Sequence, residues 1–434
     1  LKRFIAVVIS ALFVLGFAAT AFAIHAEIPA ETQAVFAKGT TMVSLHGAIR
    51  IRGEYRSNTT DFNDDMGDNF AAYDERVRFG FSAKPADNAE AYLLLESNYY
   101  WGTGTGDGPD SAQGVYAPGT SDSKRGDFMI LEGWVLYKMD TVGIKVGHMP
   151  LALGNKLFFE HIVGGDDAVV IFADPSKQLH LGLLTAKFAE GTNTLNDDAD
   201  AYVGLFVYKA DNFGVSGDVT YVNDKTIADG LHFWNIGLRG DIKAGDFSLK
   251  GDVELQTGSA EDGVALGTDL DFSGYAVLIG ADYNFGNTKI GAEFATGSGD
   301  DNTDNDYEEF VTSLSNVQHF TYVYDYRAIG ACGGIAGVST DLNNGLCNTT
   351  YLKGYIDSKI SDNLSLYAAL YWLQATEDVL GEDEIGAELD AKVSYKLARN
   401  LNYWVEGGYL FAGDLYGTNA DNAFAVRHGI ELTF

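Results

Sequence analysis

The sequence predicts an all-β fold, a transmembrane antiparallel β-barrel of about 18 strands. Three observations carry the prediction. From Met42 onward, apolar and polar residues alternate in stretches of about ten to thirteen, the period of a strand with two unlike faces. The links between stretches alternate between short and long. Beyond the N-terminal region, no segment approaches the ~18 consecutive apolar residues of a membrane-spanning helix.

The elements follow in order. Lys2 and Arg3 precede an apolar run from Phe4 to Ala19, and Ala21-Phe22-Ala23 forms a small-x-small cleavage site, so residues 1–23 read as a signal peptide. Residues 24–41 form a short N-terminal segment, and 42–434 form the barrel. In the first strand Val43, Leu45, Ile49, Ile51 and Tyr55 alternate with Ser44, His46, Arg50, Arg52 and Glu54. In the last, Phe424, Val426, His428, Ile430, Leu432 and Phe434 alternate with Ala425, Arg427, Gly429, Glu431 and Thr433. Strands of soluble sandwiches usually run about five or six residues. These are about twice that, matching the ~9–11 tilted residues that cross a bilayer. Tyr99-Tyr100-Trp101, Phe233-Trp234 and Tyr371-Trp372 lie near strand ends, as interfacial aromatic girdles require.

Short links are expected at 85–88, 140–142, 175–177, 211–212, 244–246, 286–287, 361–363 and 398–400. Long segments are expected at 56–71, 101–126, 150–166, 189–199, 223–230, 258–271, 298–348, 376–383 and 413–421. Nine long and eight short connections imply about eighteen strands with both ends on the short-turn side.

Composition excludes several classes. A net charge of −32 makes nucleic acid a poor partner. Two cysteines rule out a disulfide-framed miniprotein and a zinc or iron–sulfur protein built on cysteines alone. The 8 His follow no metal-ligand spacing, so neither a metal nor another cofactor is expected. No G-x-S-x-G, H-E-x-x-H or phosphate-binding glycine loop is present, so the chain does not read as an enzyme.

The alternating last strand ending in Phe434 resembles those of Gram-negative outer-membrane porins, over the whole span 42–434. The resemblance implies an outer-membrane location with lipid around the barrel. It also implies periplasmic short turns, a periplasmic segment 24–41 and extracellular long loops. General porins of this kind are often trimers, so a homo-trimer is one expectation. Gly147, Leu151 and Gly154 form a Gly-x-x-x-Leu-x-x-Gly stretch similar to that of alginate-export channels, which also have about eighteen strands. The chain departs from them by reading Gly147-His148-Met149-Pro150 where an Arg-Gln pair is usual.

A barrel this wide holds water unless plugged. The third long segment is unusual in carrying Leu151, Leu153, Leu157, Phe158, Phe159, Ile162 and Val163. Apolar area left in water costs roughly 25 cal/mol per Å², so this loop is expected to fold inward. His148, Lys156, Phe158, Phe159, Glu160, His161, Asp166 and Asp167 would then form the constriction. Third-loop constrictions are also what the porin resemblance implies.

Alternation sends Arg50, Arg52, Arg76, Arg78 and Arg427 to the lumen, where barrel closure gathers them on one wall. Two readings stand. Acids such as Glu54, Asp74 and Glu431 neutralise the wall, or the wall and the acids of the third loop set up a transverse field. Asp300, Asp301, Asp304, Asp306, Glu308 and Glu309 read as a solvated rim. Cys332 and Cys347, in one extracellular loop, read as a disulfide.

The expected function is a water-filled channel for passive diffusion of small hydrophilic solutes and ions. The alternatives are a substrate-specific conduit of the alginate-export kind, a barrel sheath around an electron-transfer partner, and a barrel enzyme.

Overall fold

The computed structural model describes residues 34–38, 41–65, 67–101, 128–191, 197–226, 230–260, 269–301, 306–314, 320–328, 330–332 and 345–434. The expected signal peptide lies outside the described residues. The described strands form one 22-stranded sheet. Four of them are segments of two to five residues: Ala34–Lys38, Leu270–Phe272, Asp306–Tyr307 and Ser313–Leu314. The remaining eighteen build the wall. They are β1 Thr41–Ser57, β2 Phe70–Ala86, β3 Ala89–Tyr100, β4 Met129–Met139, β5 Val142–Ala152 and β6 Phe159–Ala173. β7 Leu179–Ala189, β8 Ala199–Lys209, β9 Phe213–Asp224, β10 Leu231–Ala244, β11 Phe247–Ala260 and β12 Tyr275–Phe285 follow. β13 Thr288–Gly297, β14 Thr349–Lys359, β15 Leu364–Val379, β16 Glu382–Ala398, β17 Leu401–Ala412 and β18 Ala423–Thr433 complete the ring.

Each wall strand pairs antiparallel with its sequence neighbours, and β18 pairs with β1 from Ala48↔Thr433 to Ser57↔Phe424. The sheet is therefore a closed meander with no free wall edge, the one sheet geometry that satisfies every backbone group inside lipid. At the seam Gly47 and Phe434 exchange both backbone hydrogen bonds, 2.7 and 2.9 Å. A Cβ on Gly47 would lie 2.6 Å from the Phe434 ring, so only glycine fits under it. Where β18 stops, Ala34–Lys38 takes over as the partner of β1, Ala34↔Leu45 to Lys38↔Thr41.

Alternation sorts the side chains. Leu183, Ile130, Leu238, Leu370, Ile279 and Leu255 all stand exposed on the outside of the wall. An apolar belt of this extent is stable only against hydrocarbon. Tyr202, Tyr221 and Trp234 in a row (ring centroids 6.3 and 4.5 Å apart) and the cluster of Tyr55, Phe424, Tyr409 and Phe411 edge it with aromatic rings.

Two connections differ from the expected ones. The link expected at 376–383 is a two-residue turn, Leu380-Gly381, both at positive φ, between strands that run far past the belt. Its Glu and Asp residues look like loop because a hairpin projecting into water is polar on both faces. The third link is likewise shorter than 150–166. β5 continues to Ala152 and β6 starts at Phe159, leaving 153–158 as the turn.

Candidate functional site: the lumen and its two inward loops

The third loop does bend inward. Leu151, Leu153, Leu157, Phe158 and Phe159 are all buried. They pack on inward-facing Ala168, Val170, Leu184, Ala186, Ala201, Val203 and Leu205 of β6–β8. Each large side chain so buried contributes about 1.5–3 kcal/mol. The tip then reaches β10 and β11. Asn155 donates its backbone and side-chain N–H groups to Asp252 at 3.2 and 3.0 Å. Gly154, at φ +53°, lies against the Arg239 guanidinium, where a Cβ would clash. Arg239 is itself buried among Asp218, Asp252 and Glu254.

The expected constriction residues are divided by this geometry. Lys156 and Phe158 sit on the turn, with Phe158 against Phe233 at 5.9 Å. Phe159, Glu160, His161 and Asp166 belong to β6, at the base of the loop, and Glu160 is fully buried. His148 and Asp167 do not reach the lumen. They pair with each other across β5 and β6 at 2.9 Å, on the outward face shared with Val146 and Ile171, and the Asp167 side chain is 76% exposed. The reason is register: with β strands continuing past Met149, each residue's face is fixed by alternation rather than by a free loop. Acids on the far side of the ring from the arginine wall include Asp218, Asp252 and Glu254, on β9 and β11, which surround Arg239.

The five arginines do share one wall. Arg50 lies opposite both Arg76 and Glu431, and Glu54 opposite Arg427. Each guanidinium has an acid. Arg50 and Arg52 share Asp74 at 3.2 and 2.7 Å, Arg76 meets Glu431 at 3.2 Å, and Arg78 meets Glu96 at 2.6 Å. Arg427 binds Glu406 through Nε at 2.7 Å. Glu54, a fifth carboxylate on this wall, is taken up by Arg327, so six cations against five carboxylates leave the wall slightly positive.

A second inward loop was not anticipated from the sequence. The connection between β13 and β14 carries helix α1, Tyr324–Arg327, inside the barrel. Glu388 accepts the N–H groups of Tyr322, Val323 and Tyr324 at 2.8, 2.5 and 2.8 Å, a carboxylate on the bare donors of a helix start. Arg327 pairs with Glu54 at 2.5 Å. Phe320 stacks on Tyr351 at 4.7 Å. Burial holds the Tyr322 and Tyr324 hydroxyls well above the ordinary tyrosine range. The available signal was the aromatic run Phe320, Tyr322, Tyr324 and Tyr326 in a loop, the same signature that marked the third loop.

The two loops meet. Ser313–Leu314 pairs parallel with Phe159 and Glu160. His161 joins Asp166 through Nδ1 at 2.9 Å and Ser313 Oγ through Nε2 at 2.9 Å. This is the bond order of a hydrolase triad. However, the Ser313 N–H, a usual oxyanion donor in such triads, is spent on the Phe158 carbonyl at 2.7 Å. The arrangement works as a clasp between loops.

Between the third-loop tip, the second inward loop and β11–β17 lies a cavity of about 490 Å³. Its charged lining is Lys156, Lys250, Lys353 and Lys392 with Glu293, Asp390 and Glu406, beside Tyr351, Tyr367 and Tyr371. Glu293 bridges Lys250 and Lys353 at 2.5 and 3.7 Å. Burial lowers the Lys156 pKa from the ordinary lysine value, with Glu160 opposing the shift.

Cys332 and Cys347 are bonded, with Cα atoms 5.3 Å apart. Among the expected rim acids Asp301, Asp306 and Glu308 are exposed, but Glu309 is buried beside this bridge, because Phe310 next to it is drawn into the core. Asp304 lies outside the described residues.

No curated protein matches the sequence. Similar solved structures include three from Pseudomonas aeruginosa. OccK9 (OpdG) is 13% identical, with 90% of this chain and 98% of that one covered and a TM-score of 0.60. The outer membrane protein OprD is 12% identical, with 90% and 94% covered and a TM-score of 0.57. OpdK with vanillate is 13% identical, with 90% and 98% covered and a TM-score of 0.53. These likenesses agree with the barrel fold. Residues 199–429, more than half the chain, match the alginate export family. With a closed eighteen-strand wall, an apolar belt and a charged lumen, the protein is an outer-membrane barrel of the porin type, and the chain belongs to the alginate export family.

Proposed function

We propose that small hydrophilic solutes diffuse passively through the side of the lumen bounded by the arginine wall and β11–β17, with a mild preference for anions. The observation that carries this reading is the lining: five arginines against four carboxylates on the wall, and four lysines against three carboxylates around the cavity, with Glu406 common to both groups. Because both signs are present and mostly paired, ions of either sign pass and discrimination is modest. Purified protein in a planar bilayer should give open, ohmic steps, and a salt gradient should give a small reversal potential of anionic sign. A cation-selective or permanently closed trace would overturn the reading.

A second reading, a conduit for an anionic polysaccharide, is favoured by the family and by the two loops that narrow the lumen. Conductance blocked by micromolar polyuronate, and untouched by neutral dextran, would select it. The signal-peptide reading predicts that the purified protein begins at Ile24. Lipid surrounds the belt, and native mass in detergent separates a homo-trimer from a monomer.

A further inference from the structure

We propose that Cys332, Cys347 and Glu309 form a thiol-dependent metal site: once a dithiol opens the bridge, both sulfurs and the carboxylate bind one thiophilic divalent cation of the zinc class. Ligand atoms of the three residues all lie within 4.8 Å of one another. Two sulfurs and a carboxylate suit a cation that accepts mixed sulfur and oxygen donors, with water as the fourth ligand. On a tetrahedral zinc, with bonds of about 2.3 Å to sulfur, two sulfurs stand about 3.8 Å apart. Cα atoms 5.3 Å apart accommodate that separation with little backbone movement.

The three chain segments are held together independently of the sulfur bridge. Phe310, next to Glu309, and Asn348, next to Cys347, both donate their backbone N–H to the Ser298 carbonyl, at 3.0 and 3.1 Å. The Asn348 side chain donates to the carbonyl of Ala331, next to Cys332, at 3.0 Å. Opening the bridge therefore leaves the ligands in place. Tyr307 hydrogen-bonds the Glu309 carboxylate, the outer contact that orients a metal-binding carboxylate. Glu309 and Cys347 are each 5% exposed, whereas Cys332 is half-buried, so a reductant reaches the bridge from the Cys332 side.

The chemistry balances. A dithiol gives two electrons and two protons to the disulfide and becomes a cyclic disulfide itself, leaving two thiols. Each thiol releases its proton as the cation binds.

The test uses the whole protein in detergent, reduced with dithiothreitol, desalted without oxygen and titrated with Cd²⁺. The reduced protein should bind one Cd²⁺ per chain with a thiolate-to-metal charge-transfer band, and the oxidised protein should show no such band. Glu309→Gln, which keeps the bridge and the fold, should keep the band but bind at least tenfold more weakly. The double variant Cys332→Ser, Cys347→Ser should lose the band. Reduced wild type binding no more tightly than the double variant would overturn the site, and unchanged affinity in Glu309→Gln would remove the carboxylate from it.

Discussion

Arg327 and Glu54 form an ion pair of 2.5 Å, with side chains 0% and 6% exposed, between residues 273 apart in the chain. One lies on an inward loop and the other on β1, so the pair ties the loop to the wall. Removing one member of a buried pair strands the other charge and costs about 3–5 kcal/mol. Glu54→Gln and Arg327→Met should each loosen the loop, raising single-channel conductance and its noise. The double variant should recover most of the lost docking, because neither charge is left alone. Equal conductance in all four proteins would show that the loop does not limit flow.

The third-loop tip should be as sensitive. Gly154→Ala places a methyl against Arg239 in a left-handed backbone, a strain of about 1–3 kcal/mol. Asn155→Ala removes the side-chain hydrogen bond to Asp252 and keeps the backbone one, with a cost of about 1 kcal/mol. Both variants should expose Lys156 to trypsin, and the rate of cleavage after it measures the release.

On the arginine wall Arg50 and Arg78 differ in what they leave behind. Arg50→Ala leaves Asp74 still paired with Arg52, whereas Arg78→Ala leaves Glu96 without its arginine. Each removes one positive charge, so reversal potentials should shift toward cations in both. The wall retains its stability better in Arg50→Ala, which thermal unfolding in detergent would register.

Lys156 should give the channel a pH dependence. Its pKa is lowered by burial, so its ammonium is charged at low pH and becomes neutral as pH rises, before an ordinary lysine would. Anion preference should therefore fall as pH rises from neutral toward the ordinary lysine range. In Lys156→Met that fall should vanish, and an undiminished pH dependence would point to another group.

Much of this was legible in the residues, because strand alternation and loop rhythm are direct imprints of a bilayer and its two faces. Leu151, Leu157 and Phe158 announced an inward loop for the same reason: water does not tolerate them. His148 and Asp167 were misplaced because their faces depend on how far β5 and β6 extend, which composition alone does not fix. The docking surface for the third loop also had a sign. In β6–β8 alternation fades, with Ala168, Val170, Leu184, Ala186, Ala201 and Val203 apolar where a wet lumen would want polar groups. Arg239 and the second inward loop depend on contacts between residues far apart in sequence, and only the folded ring brings those together.

That packed sector of the ring has a consequence for traffic. With the third loop bedded on β6–β8, one sector of the cross-section is filled by apolar side chains, and the charged groups of the lumen stand on the remaining strands. A solute entering the lumen should therefore not meet the averaged field of all the strands. It should feel most the arginines and lysines on the flank that the third loop leaves uncovered.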